Sequence, residues 1–141
     1  MPKNFQKEMS KIQELVAPVA KKRSRYMFMA FPLLFISLFN LFTLLLFSTW
    51  NQDTIIMAIV YGFFGAIGLA LSKESKYQNK QIKQISNNYM TKRVGNSTYL
   101  SEYRKQEYIA LINEHPLLAI NNFIKFLSEE ENSVQHQDIF K

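Results

Sequence analysis

Two uncharged stretches interrupt an otherwise polar chain, Met27 to Thr49 (MFMAFPLLFISLFNLFTLLLFST) and Thr54 to Ser72 (TIIMAIVYGFFGAIGLALS). A helix over the first would be about 34 Å long at roughly 1.5 Å per residue, and the second also matches the hydrocarbon core of a bilayer. Only residues 50–53 lie between them. The pattern predicts a transmembrane helical hairpin, with spans at 27–49 and 54–72 and a short external turn at 50–53. Two buried helices of a soluble protein would be equally apolar, but the remaining chain is too polar to cover them on every side.

The flanks carry a helical period of their own. Phe5, Met9, Ile12, Val16 and Val19 recur at alternating steps of four and three, the mark of a helix with one narrow apolar stripe. Beyond the second span, Ile82, Ile85 and Tyr89 have the complementary spacing, so that helix is expected to continue to about Arg93. The two stripes align antiparallel, Val19 with Ile82, Val16 with Ile85 and Ile12 with Tyr89, although Pro18 would bend the first. Docking of residues 1–26 on anionic headgroups through Lys3, Lys7 and Lys11 is the competing account.

Residues 94–98 read as a connector, and Ser101-Glu102 opens a helix that runs to Glu114 and stops at His115-Pro116. A last helix is predicted from Pro116 to about Ser128, with Leu117, Ile120, Ile124 and Leu127 on one face. Glu129, Glu130 and Glu131 put negative charge at its C-terminal end, which the helix dipole disfavours, so 132–141 is expected to be a disordered tail. On this reading 73–131 offers amphipathic helices as a docking surface rather than a self-sufficient fold. The fold class is all-α: a two-span hairpin with amphipathic cytoplasmic helices at both ends.

Charge supplies the orientation. Lys21, Lys22, Arg23 and Arg25 precede the first span, Lys73 and Lys76 follow the second, and the turn holds no Lys or Arg. The excess of positive charge on one side places both termini in the cytoplasm, and makes the four leading cations candidates for contact with anionic lipid headgroups. Trp50, Tyr26 and Tyr77 stand where interfacial rings are favoured. The length of the first apolar stretch and the second span directly after it suit a retained signal anchor rather than a cleaved signal peptide.

The net charge is +6, and the first 26 residues hold seven Lys or Arg against two Glu, while residues 73–141 hold ten against eight acidic residues. A basic surplus beside the membrane suits lipid, whereas a nucleic-acid site would want it in the soluble part. Lys92, Arg93, Arg104 and Lys105 among Tyr89, Tyr99, Tyr103 and Tyr108 read as solvated helix faces rather than an RNA platform.

Within the hairpin, Ala58, Gly62, Ala66 and Ala70 fall at four-residue steps with Gly65 and Gly68 nearby, a small-residue seam that packs on the first span or on a second copy of the chain. Asn40 lies near the middle of the first span, where an amide needs a partner. An antiparallel hairpin turning near residues 51 and 52 would bring it beside Tyr61 and Gly62, and an interhelical hydrogen bond is its expected role. Pro32 is expected to kink the helix near the inner boundary. No charged residue lies in either span, which argues against a transporter or channel.

Candidate chemistry is absent. The chain lacks cysteine, which excludes disulfides, thiolate metal sites, thiol nucleophiles and acylated-cysteine anchors, and the residue after Met1 is Pro2, not the glycine of a myristoylation signal. His115 and His136 are isolated, and no phosphate-cradling glycine loop or zinc-ligand spacing occurs. The expectation is a protein that is not an enzyme, with no cofactor, no metal, no nucleic-acid partner and no identified small-molecule substrate. Asn96-Ser97-Thr98 matches a glycosylation pattern, on the side expected to be cytoplasmic.

The run FFGAIGLALSKESK at Phe63 to Lys76, NLFTLLLFS before it, and FIKFLSEE at Phe123 to Glu130 resemble the uncharacterised YwnF-like family of small two-span membrane proteins from spore-forming Gram-positive bacteria, over most of the chain. The resemblance implies a bacterial cell-membrane protein with this hairpin plan and brings no assigned activity, ligand or catalytic residue. The leading expectation is therefore a membrane-anchored interaction or scaffold protein at the inner face, binding a protein partner or itself through Ile109, Ile112, Ile120 and Ile124. An anionic-lipid-binding or membrane-shaping role is the alternative, and a small oligomeric pore ranks behind both.

Overall fold

The structure, a computed structural model, describes residues 2–139 and contains four helices: α1 (Phe5–Phe47), α2 (Gln52–Gly95), α3 (Glu102–Glu114) and α4 (Ala119–Ile139). No strand occurs among the described residues. The chain divides into two compact units, one formed by Met1–Pro18 with Gln81–Lys141 and the other by Val19–Lys80. Both α1 and α2 contribute residues to each unit.

The second unit is the hairpin. The turn between its helices is fixed locally. Asn51 caps α2 by accepting the Thr54 amide at 2.9 Å and the Thr54 hydroxyl at 2.7 Å, with the Thr49 carbonyl 3.0 Å from that hydroxyl as an alternative acceptor. Both helices are long and apolar enough to cross a membrane, and only 11% of each apolar window is covered by the rest of the chain. A core helix of a soluble domain would be wrapped, whereas here Phe28, Phe31, Phe35, Phe39 and Phe42 all point outward. Three of these form an i,i+4 ladder, with rings 6.4 Å apart from Phe31 to Phe35 and from Phe35 to Phe39.

What the hairpin buries includes one row on each helix that alternates threes and fours: Val19, Arg23, Tyr26, Ala30, Leu33, Ser37, Asn40 and Leu44 on α1, and Thr54, Ala58, Tyr61, Gly65, Gly68, Ser72 and Ser75 on α2, each flanked by partly covered neighbours such as Leu34, Leu41 and Leu71. This is the 3.5-residue period of helices wound about each other. A four-residue row instead drifts about 40° per step at roughly 100° per residue. The row Ala58, Gly62, Ala66, Ala70 is therefore not the seam with α1: Ala58 is half-buried, but Gly62, Ala66 and Ala70 face away from that helix. Gly65 and Gly68 are the glycines that meet α1. A Cβ on Gly65 would lie 2.7 Å from Ser37 Oγ, and one on Gly68 would lie 2.8 Å from Leu34 Cγ and 3.2 Å from its backbone nitrogen. Pro32 faces outward and α1 runs through it unbroken.

The first unit is a bundle with its own core. Ile12 of α1, Met90 and Val94 of α2, Ile112 of α3 and Phe123 and Phe126 of α4 are buried together. Phe5, Met9 and Val16, the rest of the N-terminal stripe within this unit, pack against them. Phe126 sits 5.8 Å from both Phe123, stacked, and Tyr108, edge-on, an arrangement worth about 0.5–1.5 kcal/mol per pair beyond burial. Ser101 caps α3 by accepting the Arg104 amide at 3.4 Å, and Asn122 ties α4 to the end of α3 by donating to the Leu111 carbonyl at 3.2 Å.

Three expectations are corrected here. Residues 73–131 are not a bare docking surface, because the apolar stripes of α3 and α4 are spent on this core: Ile112 is fully buried and Ile109 and Ile124 are partly so. The last helix opens at Ala119, after a turn at 116–118. Nor does it fray after Ser128. It continues to Ile139, so 132–139 is helix rather than disordered tail, while 140 and 141 lie outside the described residues. The dipole argument failed because Glu129 and Glu130 lie inside the helix and meet arginines from α3 and α2.

Candidate functional site

The most developed polar constellation lies in the bundle and joins α1, α2 and α4. Arg93 grips Glu130 with two parallel bonds, 3.1 and 2.7 Å long, and donates from Nε to Glu8 at 3.3 Å. Ser97 donates to Glu130 at 2.5 Å, and the Tyr89 hydroxyl donates to Glu8. The guanidinium also lies 5.7 Å from the centre of the Phe126 ring, in the range of a cation–π contact. The carboxyl-bearing side chains are nearly enclosed, with Glu8 at 6% and Glu130 at 9% exposure. A cavity of about 230 Å³ opens beside them, bounded in part by Asn4, Tyr99 and Glu131.

Electrostatics keep this cluster in fixed charge states. Burial alone would raise the Glu8 carboxyl, but the hydrogen bonds from Tyr89 and Arg93 outweigh it and hold the group below its ordinary value. Burial and the bond to Glu8 push the Tyr89 phenol up to about 12. Both shifts run away from neutrality, so neither group is poised for proton exchange near pH 7. A second cluster repeats the logic nearer the surface: Arg104 pairs with Glu129 and Glu107, and Tyr108 donates to Glu129 at 2.6 Å. The Arg104 bonds, working against a burial penalty, hold the Glu129 carboxyl low. These are clasps between helices. No group of three or more potential metal ligands is found among the described residues.

The residues singled out from sequence have varied fates. Asn40 occupies a seam position, yet its amide donates to the Ile36 carbonyl of its own helix at 2.7 Å. The bond across the hairpin comes from Ser37, whose hydroxyl donates to the Tyr61 carbonyl at 2.6 Å. Tyr61 is thus the partner through its backbone, and Gly62 has nothing within 4 Å of where a side chain would begin. Lys21, Lys22 and Arg25 are exposed, whereas Arg23 turns into the seam. Sequence reasoning missed Ser37, Glu8, Arg93 and Glu130. Position was an available signal for Ser37, which falls on the three-four row of α1, whereas the spacing of the apolar stripes marks neither Arg93 nor Glu8.

The model of a family of unknown function, DUF5392, matches residues 1–135. The chain is similar to the "Uncharacterized protein YwnF" of Bacillus subtilis (strain 168), with 41% identity over 131 residues that cover 93% of this chain and 90% of that protein. No solved structure matches it.

Proposed function

The chain belongs to the DUF5392 family, whose function is unknown, and we propose that it is a non-enzymatic interaction protein anchored at the inner face of the cell membrane, its hairpin spanning the bilayer and its bundle presenting a binding corner to the cytoplasm. The observation that carries this reading is the α3–α4 corner. The bundle satisfies its own core, yet Leu117 remains 91% exposed with Leu118 and Ile120 about half exposed beside it. Exposed apolar side chains clustered in neighbouring positions are a feature of contact sites. Membrane anchoring is supported by the outward-facing apolar helices, by Trp50 and Tyr77 exposed at the ends of the apolar stretches, and by the cations flanking the hairpin.

The test is in-cell photo-cross-linking from a benzoylphenylalanine placed at position 117. A reproducible protein adduct, abolished by Ile120→Asp without loss of the bundle's helicity, is the expected result. Adducts to lipid alone, or none, would overturn the interaction role.

A further inference from the structure

We infer that the hairpin binds one anionic phospholipid in the groove between α1 and α2, with its phosphate on Arg23 and Lys76 and its acyl chain starting along Met27, Phe31 and Leu34. The inference rests on the reading that the hairpin is embedded in a membrane.

The groove has a volume of about 220 Å³ and is chemically divided along its length. Arg23, Lys76, Ser75 and Asn79 line one end, and Met27, Phe31 and Leu34 line the other, with no carboxylate on its walls. An amphiphile with an anionic head fits that division. At roughly 30 Å³ per water the space takes a phosphodiester and the first methylenes of a chain, not a whole lipid, so the rest of the molecule would lie along the outward faces of the helices.

Arg23 supplies the sharper evidence. Its Nε is buried and has no hydrogen-bond acceptor among the described residues, and neither it nor Lys76 forms a salt bridge among them. A buried charged donor without an acceptor is unfavourable, and the arginines of the bundle, Arg93 and Arg104, are by contrast both engaged by carboxylates. A guanidinium offers a fork that matches two phosphate oxygens, while Lys76 adds a second positive charge. Depth agrees as well. Arg23 stands four residues before Met27, where the uncharged stretch begins, so at roughly 1.5 Å per residue it lies about 6 Å outside the apolar boundary, at the level of headgroups. The exposed Lys21, Lys22 and Arg25 can attract anionic lipid only diffusely. Arg23 differs by being held in a walled site.

The experiment uses the full chain. Resistance of the membrane-bound protein to alkaline carbonate establishes embedding. Native mass spectrometry of the detergent-purified protein then titrates phosphatidylglycerol against phosphatidylcholine. One phosphatidylglycerol per chain should be retained in preference to phosphatidylcholine. Arg23→Gln should weaken it about tenfold or more, as the loss of a charged hydrogen bond predicts, while Lys22→Gln, with the same change in net charge, stays within about twofold. Lys76→Gln, at an exposed position that leaves packing intact, should weaken it several-fold and serves if Arg23→Gln misfolds. Glycerol phosphate, which has the head without the tail, should not compete. Extraction by carbonate would overturn the membrane reading and this proposal with it. In an embedded protein, equal losses for Arg23→Gln and Lys22→Gln, equal retention of phosphatidylcholine, or displacement by glycerol phosphate would overturn the lipid site alone.

Discussion

Arg93→Met examines the bundle at the point where three of its elements are tied. The substitution keeps an apolar stem against Phe126 and removes the cation that pairs with both Glu8 and Glu130. Breaking a buried ion pair from one side costs about 3–5 kcal/mol, because a charge is left enclosed without its partner. Two features favour the lower figure. The Arg93 side chain is 26% exposed, so water already screens part of the pairing, and Tyr89 and Ser97 still donate to the stranded carboxylates. A loss of about 3 kcal/mol corresponds to roughly a 150-fold shift in the opening equilibrium at about 1.36 kcal/mol per decade. Hydrogen–deuterium exchange of the full chain in detergent would read it directly, as roughly 150-fold faster exchange of α4 amides that open with the network, with amides of residues 54–72 unchanged. Acceleration below about fivefold, the value expected of an exposed pair, would refute the reasoning. A triple variant, Glu8→Gln with Arg93→Met and Glu130→Gln, supplies the internal check. It should be less destabilised than Arg93→Met alone, since no unpaired charge stays buried.

Further outcomes follow from the same geometry. Glu8 and Glu129 have carboxyls lowered from the ordinary 4.5, so the stability they contribute is complete above about that pH and is lost as pH falls through their folded values. Tyr89 and Tyr108 are raised from 10.0 to about 12, so their contribution is complete below pH 10 and fades as pH rises toward 12; thermal unfolding against pH should show a plateau between these limits. Because the chain has no cysteine, the pair Ser37→Cys and Gly65→Cys offers a clean register test. The Ser37 Cβ lies 3.6 Å from a Cβ built on Gly65, within the usual disulfide range, so mild oxidation should give an intramolecular bond visible by mass, whereas Asn40→Cys with Gly62→Cys should give little. Ser37→Ala should destabilise the hairpin by about 0.6–2 kcal/mol through loss of an interhelical bond, measured by thermal unfolding in detergent, and Asn40→Leu should change it less.

The all-helical class and the two long apolar helices were legible because long uncharged runs and a three-four repeat are properties of composition and spacing alone, whereas the ends at the turn were not: α1 stops at Phe47, before the expected Thr49, and α2 opens at Gln52, before the expected Thr54. The end of α3 was legible from His115-Pro116, and the continuation of α2 past the apolar run from Ile82, Ile85 and Tyr89, although that helix runs to Gly95 rather than Arg93; the resemblance to the YwnF-like family is borne out by the comparisons. Choices among partners were not legible. Asn40 and Ser37 both fall on the α1 seam, and amide cost alone favours Asn40. Whether a polar side chain bonds across or back to its own helix depends on local reach, which spacing does not encode. The glutamates at 129–131 show the same limit: a dipole rule treats them as a helix end, whereas arginines far away in sequence make two of them interior anchors.

The burial of the α3 and α4 stripes changes how a search for partners has to be designed. Ile109, Ile112, Ile120 and Ile124 look equivalent in sequence, each an apolar residue on an amphipathic helix. In the bundle Ile112 has no exposed surface while Ile120 is 48% exposed. A polar residue at 112 would strand a polar group in the core at a cost of several kcal/mol, on the scale of buried-group penalties, and would abolish any partner simply by unfolding the bundle. Loss of binding from that variant therefore carries no information about an interface. Leu117→Asp removes almost only exposed apolar surface and should change stability within about 0.5 kcal/mol, and Ile120→Asp, at a half-exposed position, should cost about 1 kcal/mol, so the fold should survive both. A partner lost to these two, with α4 exchange protection intact, locates the interface at the corner; a partner lost only to Ile112→Asp reports unfolding.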